Sequence, residues 1–236
     1  MSDVQGEVTW PEDFSGRVRL FPLPNLVLFP HVVQPLHIFE PRYCEMLTEA
    51  MASDRLIAMA LLEPGWELQY HRKPPLASVV CVGKIITHSP TADNRHNILL
   101  AGMRRARVIR ELECGQESFR QAEVELIADH YPNECALGRT KSREELLELF
   151  QHIVPEGLGV QESFQQLIGA QLPLGILTDV ITFTLGLPLP IKQQLLAESN
   201  VDVRCRILSR CLKELRKNRE QNDDPTDQFP PKFSAN

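Results

Sequence analysis

Apolar and polar positions along the 236-residue chain change their spacing three times. Residues 1–16 form a polar, acidic lead-in, in which Trp10 and Phe14 are large enough to fold back onto the body. From Arg17 short apolar runs follow one another, and between Phe21 and Tyr43 they are cut by Pro22, Pro24, Pro30, Pro35 and Pro41. Proline fixes its own φ, removes an N–H donor and drives the preceding residue toward extended backbone, so no long helix crosses this stretch. Val27 to Phe29 and Val32 to Ile38 are predicted as short strands. Tyr43, Met46, Leu47, Ala50 and Met51 then recur at helical spacing, with Pro41 in the first turn, which predicts one prominent helix over 41–52.

Beyond that helix the pattern returns to strands: Leu56 to Leu62, Val79 to His88, Asn97 to Glu113 and Phe119 to Ala128. Glu63 to Pro75 holds Pro64, Gly65, Pro74 and Pro75 and is predicted as a loop, and Ser89 to His96 as a hairpin connection. Gly102 interrupts its strand and predicts a bulge or bend of the kind that closes a sheet on itself. The polar span 129–141 is the predicted linker. From Ser142 the spacing is helical, through Leu146, Leu147, Phe150 and Ile153, then Leu174, Leu177, Ile181 and Leu185. Leu187-Pro188-Leu189-Pro190 stops that helix, and Ser199 or Asn200 caps a last one with the stripe Val203, Ile207, Leu208, Cys211, Leu212 and Leu215. The predicted order is a lead-in over 1–16, a β-rich domain over 17–128, the linker, a helical bundle over 142–219, and a flexible tail over 220–236 that is too polar and proline-rich to pack. The fold class is α+β.

Charge and motifs narrow the function by exclusion. A net charge of −6 disfavours broad attraction to nucleic acid or anionic membrane. The N-terminus lacks a basic region followed by an apolar one, and no apolar run approaches a membrane span, so a cytoplasmic protein is expected. Cys44, Cys81, Cys114, Cys135, Cys205 and Cys211 are scattered and contain no C-x-x-C pair, which favours buried reduced thiols over disulfides or zinc. No two histidines stand at metal-ligand spacing. Gly83-Lys84 is no phosphate loop, since Ser78 replaces the upstream glycine and Ile85 the Ser or Thr. No nucleophile elbow, zinc-protease or dinucleotide signature is present. No catalytic residue, metal or cofactor is expected.

The segments Phe21-Pro22-Leu23, Val27-Leu28-Phe29-Pro30, Pro35-Leu36 and Ile38-Phe39-Glu40-Pro41-Arg42-Tyr43 resemble the N-terminal domain of the Lon protease family, and specifically small stand-alone bacterial proteins made of that domain. Val82-Gly83-Lys84-Ile85 and Gly102-Met103-Arg104-Arg105-Ala106-Arg107-Val108 match the family's V-G-x-I and G-x-x-R-x-R-hydrophobic strands in order and spacing. His31 departs from the pattern, because stand-alone members often carry glycine after that proline. The resemblance implies a PUA-like β-barrel followed by helices. It also implies that ATP hydrolysis and Ser-Lys peptidase activity belong to later Lon domains, so this chain is expected to be non-catalytic.

What remains is binding. The resemblance implies capture of unfolded or extended polypeptide, or contact with a protein of the proteolysis machinery, as an adaptor in protein quality control. Weak self-association stays open. The candidate peptide-binding residues are Phe29, Pro30, His31, Phe39, Glu40, Arg42 and Tyr43. Phe29, Phe39 and Tyr43 read either as groove lining or as ordinary core, and alternation in short strands favours core. Glu40 and Arg42 read as a structural ion pair at a helix start or as ligand contacts, with the ion pair favoured. The alternative is an RNA-binding PUA-like module using Arg104, Arg105, Arg107 and Arg110. Strand alternation places Arg105 and Arg107 on one face and Arg104 and Arg110 on the other, which splits the patch and favours a solvated, aggregation-resistant strand.

Overall fold

The computed structural model describes residues 10–69, 73–113, 115, 117–153 and 172–221. Residues 1–9 of the expected lead-in, Cys114, and all but the first two residues of the expected tail over 220–236 lie outside them. The chain divides into two compact units after Ala128.

The first unit carries strands β1 (Arg17–Leu23), β2 (Val33–Ile38), β3 (Leu56–Leu61), β4 (Val79–Thr91), β5 (Arg95–Glu111) and β6 (Arg120–Ile127), with helix α1 (Pro41–Met51) between β2 and β3. Proline at its start and the turn bonds from Tyr43 N and Cys44 N to the Glu40 carbonyl begin α1. Its buried stripe is Tyr43, Cys44, Met46, Leu47 and Ala50. Val27 to Phe29 is not a strand: the segment is buried but irregular, and it enters a turn at Pro30 and His31.

Strands pair in the order β2-β5-β4-β3-β1-β6, and β6 also pairs with β5, so five strands return on themselves. β1 and β3 run parallel, a pairing that requires the crossover through β2 and α1. The other pairings are antiparallel. The residues enclosed include Val18, Leu20, Leu56, Val80, Val82 and Val124 together with four alanines, Ala58, Ala60, Ala106 and Ala122. Small side chains suit a ring of so few strands, whose interior leaves little volume. Trp10 and Phe14, in edge-to-face contact at 4.8 Å, pack against this core. Arg19 fastens β1 to the end of α1, bonding Glu49 at 2.9 Å, Asp54 at 2.7 Å and the Ser53 hydroxyl at 2.7 Å.

β5 is long enough to serve two neighbours along one edge. Residues 96–101 pair with β2 and 105–111 with β6, while β4 occupies the other edge. The changeover falls at Gly102, where the β4 register slips between Val82 and Gly83. A Cβ on Gly102 would overlap the Phe29 carbonyl oxygen and approach the Cys81 sulfur at 3.3 Å. The expected bend is therefore also a close backbone approach. The β4–β5 strands run further than expected, to Thr91 and from Arg95, and turn through Asp93 and Asn94 at φ 61° and 55°. Both residue types tolerate left-handed backbone.

The second unit carries α2 (Arg139–Ile153), α3 (Leu174–Thr184), α4 (Leu189–Ala197) and α5 (Val201–Gln221). Asn200 caps α5, its side-chain oxygen accepting from Asp202 N and Val203 N at 3.1 Å each. The span 129–141, expected as a linker, is instead built into this unit, and α2 starts three residues earlier than Ser142. Residues 133–138 form a 3-10 helix, and His130 bonds Ser199 and Val201 through its backbone. Asp129 pairs with Arg204 at 2.7 Å, and Arg139 with Asp202 at 2.7 Å. Arg204 is fully buried and also meets Asp179 at 3.5 Å, Thr178 Oγ1 at 3.0 Å and the Glu198 carbonyl at 2.8 Å. Several partners of this kind are what a buried guanidinium needs, since removing one member of a buried pair typically costs about 3–5 kcal/mol.

The Gly102 crossing yields a direct test. Gly102→Ala is expected to destabilise the chain by about 3 kcal/mol, because the added carbon meets backbone and no flexible side chain can yield. Urea unfolding of both proteins measures this, and a loss below about 0.5 kcal/mol, the range of innocuous surface changes, would contradict the described packing.

Candidate functional site

β2 stands at the edge of the sheet and, among the described residues, pairs only with β5. Gly102 N donates to the Val32 carbonyl at 2.8 Å, and His31 N donates to the Gly102 carbonyl at 2.9 Å. Antiparallel alternation then turns the backbone groups of Gln34, Leu36 and Ile38 toward β5 and those of Val33, Pro35 and His37 toward the open edge. Pro35 has no N–H to offer there, and its carbonyl accepts from Gln34 Nε2 at 2.7 Å. The middle of the edge is thus closed to strand addition.

The side chains tell the opposite story. Val33, Pro35 and His37 project to solvent on one face, Val33 being 46% exposed. Phe39, 38% exposed, continues the row by stacking on His37 at 5.9 Å between ring centres. His37 Nδ1 is held by Asn97 Oδ1 at 2.7 Å, which fixes the ring that supports Phe39. Across β5 the register sets Ala101 and half-buried Leu99 beside Val33 and Pro35. An apolar row with one imidazole therefore lies on the outer surface of two rigid strands.

At the Val33 end the row opens into a pocket of about 370 Å³ lined by residues 31–33, residues 101–104 and Trp10. His31 reaches this rim with φ 66°, a left-handed conformation that glycine adopts freely and that an L side chain holds at a cost of about 1–2 kcal/mol.

The remaining candidates fall elsewhere. Phe29 is wholly buried, and Pro30 is buried with it. Tyr43 is 6% exposed, packs on Phe21 at 4.5 Å and donates its hydroxyl to the Pro22 carbonyl at 3.4 Å. These three residues are core and cannot line a peptide groove. Glu40 and Arg42 pair with each other at 2.8 Å, and the Arg42 guanidinium lies 4.6 Å from the Tyr43 ring centre. Of the basic strand, Arg104 is exposed at the pocket rim. Arg105 and Arg107 follow in unbroken register on β4, as alternation expects, but Arg105 is only 3% exposed while Arg107 is open to solvent, so their shared face is covered at one end. Arg107 lies 3.9 Å from Glu125, and Arg110 bonds both carboxylate oxygens of Glu123 at 2.7 and 2.9 Å. Val33, Met103 and Trp10 join the site although they were not singled out for it. Their available signals were the alternation through Val33 and Pro35 and the large aromatic in a polar lead-in.

The profile of the ATP-dependent protease La (LON) substrate-binding domain matches residues 17–214. The chain belongs to the Lon substrate-binding domain family. The N-terminal domain of the Mycobacterium avium complex Lon protease superposes with a TM-score of 0.64 at 18% identity, covering 84% of this chain and 98% of that one. The Lon N-terminal domain protein of Xanthomonas campestris superposes with a TM-score of 0.57 at 20% identity, covering 81% and 96%. At such identities the likeness establishes a shared fold, a sheet core with helices. The Lon protease of Azospirillum brasilense is 29% identical over 197 residues, which cover 80% of this chain and 23% of that protein. The Lon protease of Cytophaga hutchinsonii is 26% identical over 145 residues, 60% of this chain and 16% of that protein. The chain thus spans less than a quarter of the length of these two proteases.

Among the described residues no three His, Cys, Asp or Glu side chains gather in a metal-binding group. The described cysteines form no disulfide, and burial pushes Cys205 up to about 11, far from a reactive thiolate. No described helix is long and apolar enough to cross a membrane. His88 and His96 face each other on the β4–β5 strands, with Nε2 and Nδ1 3.0 Å apart.

Burial first, and the His88 imidazole second, hold His96 below the usual histidine range. A depressed folded pKa favours the neutral ring, so this contribution to stability is complete above the unfolded value of about 6.5 and is lost as pH falls from there through the lower folded value. Melting temperature is expected to drop between pH 7.5 and pH 5, and His96→Gln to shrink that drop. An unchanged pH dependence in the variant would show that the pair is not coupled to folding.

Proposed function

We propose that this Lon domain is a non-catalytic module that holds extended polypeptide on the outer face of β2 and β5. The observation that carries the reading is the exposed row Val33, Pro35, His37 and Phe39, set on rigid strands whose edge backbone is blocked at Pro35. Such a face can take alternate side chains of a passing segment without extending the sheet. The ring of strands supports a PUA-like barrel for the first unit, and the contacts of α5 with α2 and α3 support a helical bundle for the second. In this reading the chain supplies recognition to a proteolytic or chaperone partner in the cytoplasm, as a quality-control adaptor, and hydrolyses neither ATP nor protein. The RNA alternative has less support, since Arg107 and Arg110 face glutamates and Arg105 is buried.

Ordering an extended segment costs on the order of 1 kcal/mol per residue, so a few half-exposed apolar contacts give a weak complex, about micromolar at best. Titration of a permanently unfolded, casein-like protein tests this. Wild type is expected to bind it, and the double variant Val33→Ser/Phe39→Ser to bind about tenfold more weakly with an unchanged melting temperature, because both side chains are exposed. No binding by wild type at about 0.1 mM would remove the polypeptide reading and leave a folded partner protein.

A further inference from the structure

We propose that the pocket at the start of β2 selects segments in which a bulky apolar side chain is flanked by acidic residues, the apolar group entering between Trp10, Val33 and Met103 and a carboxylate meeting Arg104. This rests on the polypeptide-binding reading and adds a chemical preference to it.

Two independent observations point to this place. The first is charge. The chain carries a net −6, yet among the described residues that line the pocket none is acidic, and Arg104 stands exposed on its rim. A local inversion of sign at an apolar opening attracts an anionic partner and repels a cationic one. The neighbouring Arg107 and Arg110 sit beside Glu125 and Glu123, so the inversion is confined to the pocket end of β5. The second is strain. His31 holds a left-handed backbone at the rim, where glycine would relieve it, and strained residues of this kind collect at ligand clamps. The dimensions also fit. A volume of about 370 Å³ lies within the lower part of the range of ligand-sized clefts and accommodates a side chain such as Leu or Phe with room for water. Pro35 and the Gln34 side chain close the edge backbone beyond the pocket, so selection falls to side-chain contacts and not to main-chain pairing.

The test uses the full chain and short labelled peptides in a Gly-Ser frame: one with Leu-Phe flanked by glutamates, one with Leu-Phe flanked by lysines, and one with the glutamates alone. The chain has two tryptophans, so Trp66→Phe leaves Trp10 as the sole indole and its emission as a readout of pocket occupancy. The glutamate-flanked Leu-Phe peptide is expected to bind at least about tenfold more tightly than either of the others. It is expected to shift Trp10 emission and to weaken as salt rises from about 50 to 500 mM. Arg104→Glu, at an exposed position, is expected to leave the melting temperature unchanged and to reverse the order of the first two peptides. Equal binding of those peptides, indifference to Arg104→Glu, or binding without a change in Trp10 emission overturns the charge-selective pocket. If the unfolded casein-like protein still binds in that case, the polypeptide reading survives alone. If that protein does not bind either, both fall. Displacement of the peptide by an equal concentration of short oligouridylate overturns the proposal in favour of nucleic acid.

Discussion

The contact of Gly102 with the Phe29 carbonyl sets the geometry on which the first unit and its surface depend. No other residue type fits there, because any Cβ would occupy the space of a backbone oxygen. The approach lets the turn at Pro30 and His31 exchange backbone bonds with β5, and those bonds fix the register of β2. Register in turn decides which side chains face water, since a slip of one residue would send Val33, Pro35 and His37 inward. The same crossing lets β5 leave β2 for β6 and so closes the pairing cycle. One glycine therefore joins core closure, edge-strand register and the pocket rim.

The second unit is organised by a different constraint, the burial of a guanidinium. Arg204 gathers Asp129, Asp179, Thr178 and a backbone carbonyl from separate stretches of the chain. Gly175 makes room for this, since a side chain there would overlap the Asp129 carboxylate. Apolar packing of Leu146, Phe150, Leu177, Ile181 and Leu208 supplies the bulk of burial, while the ionic cluster favours one arrangement of the helices over others of equal hydrophobicity.

Much of this was legible in the sequence because period and proline report local geometry directly. The change from strand to helical spacing at Pro41, the order of the strands and the bend at Gly102 all follow from rules that need no tertiary contact. The failures share a cause: burial and partnership are decided by distant residues. Val27 to Phe29 looked like a strand because it is apolar, yet its backbone turns toward Gly102 instead of pairing. The span 129–141 looked like a linker because it is polar, but two of its charges, Asp129 and Arg139, meet Arg204 and Asp202 more than 60 positions away. Phe39 and Tyr43 are indistinguishable by composition. A helix carries Tyr43 onto Phe21, whereas Phe39, one residue beyond the strand, stacks on a surface imidazole. Alternation gives Arg105 and Arg107 one face, but which end of that face is covered is decided by tertiary packing, and only Arg105 is buried.

The surface that emerges is economical in a physical sense. An exposed apolar row on an open strand edge invites aggregation, and Pro35 with the Gln34 side chain removes the backbone half of that hazard while leaving the side chains available. In the proposed reading this separation leaves selection to side-chain contacts and not to main-chain pairing. Hydrogen exchange of the full chain, with and without a saturating unfolded polypeptide, tests the account most directly. Slower exchange is expected over residues 31–39 and 97–104, with the remaining segments unchanged. Protection confined to residues 129–221, with none on β2 or β5, would contradict it.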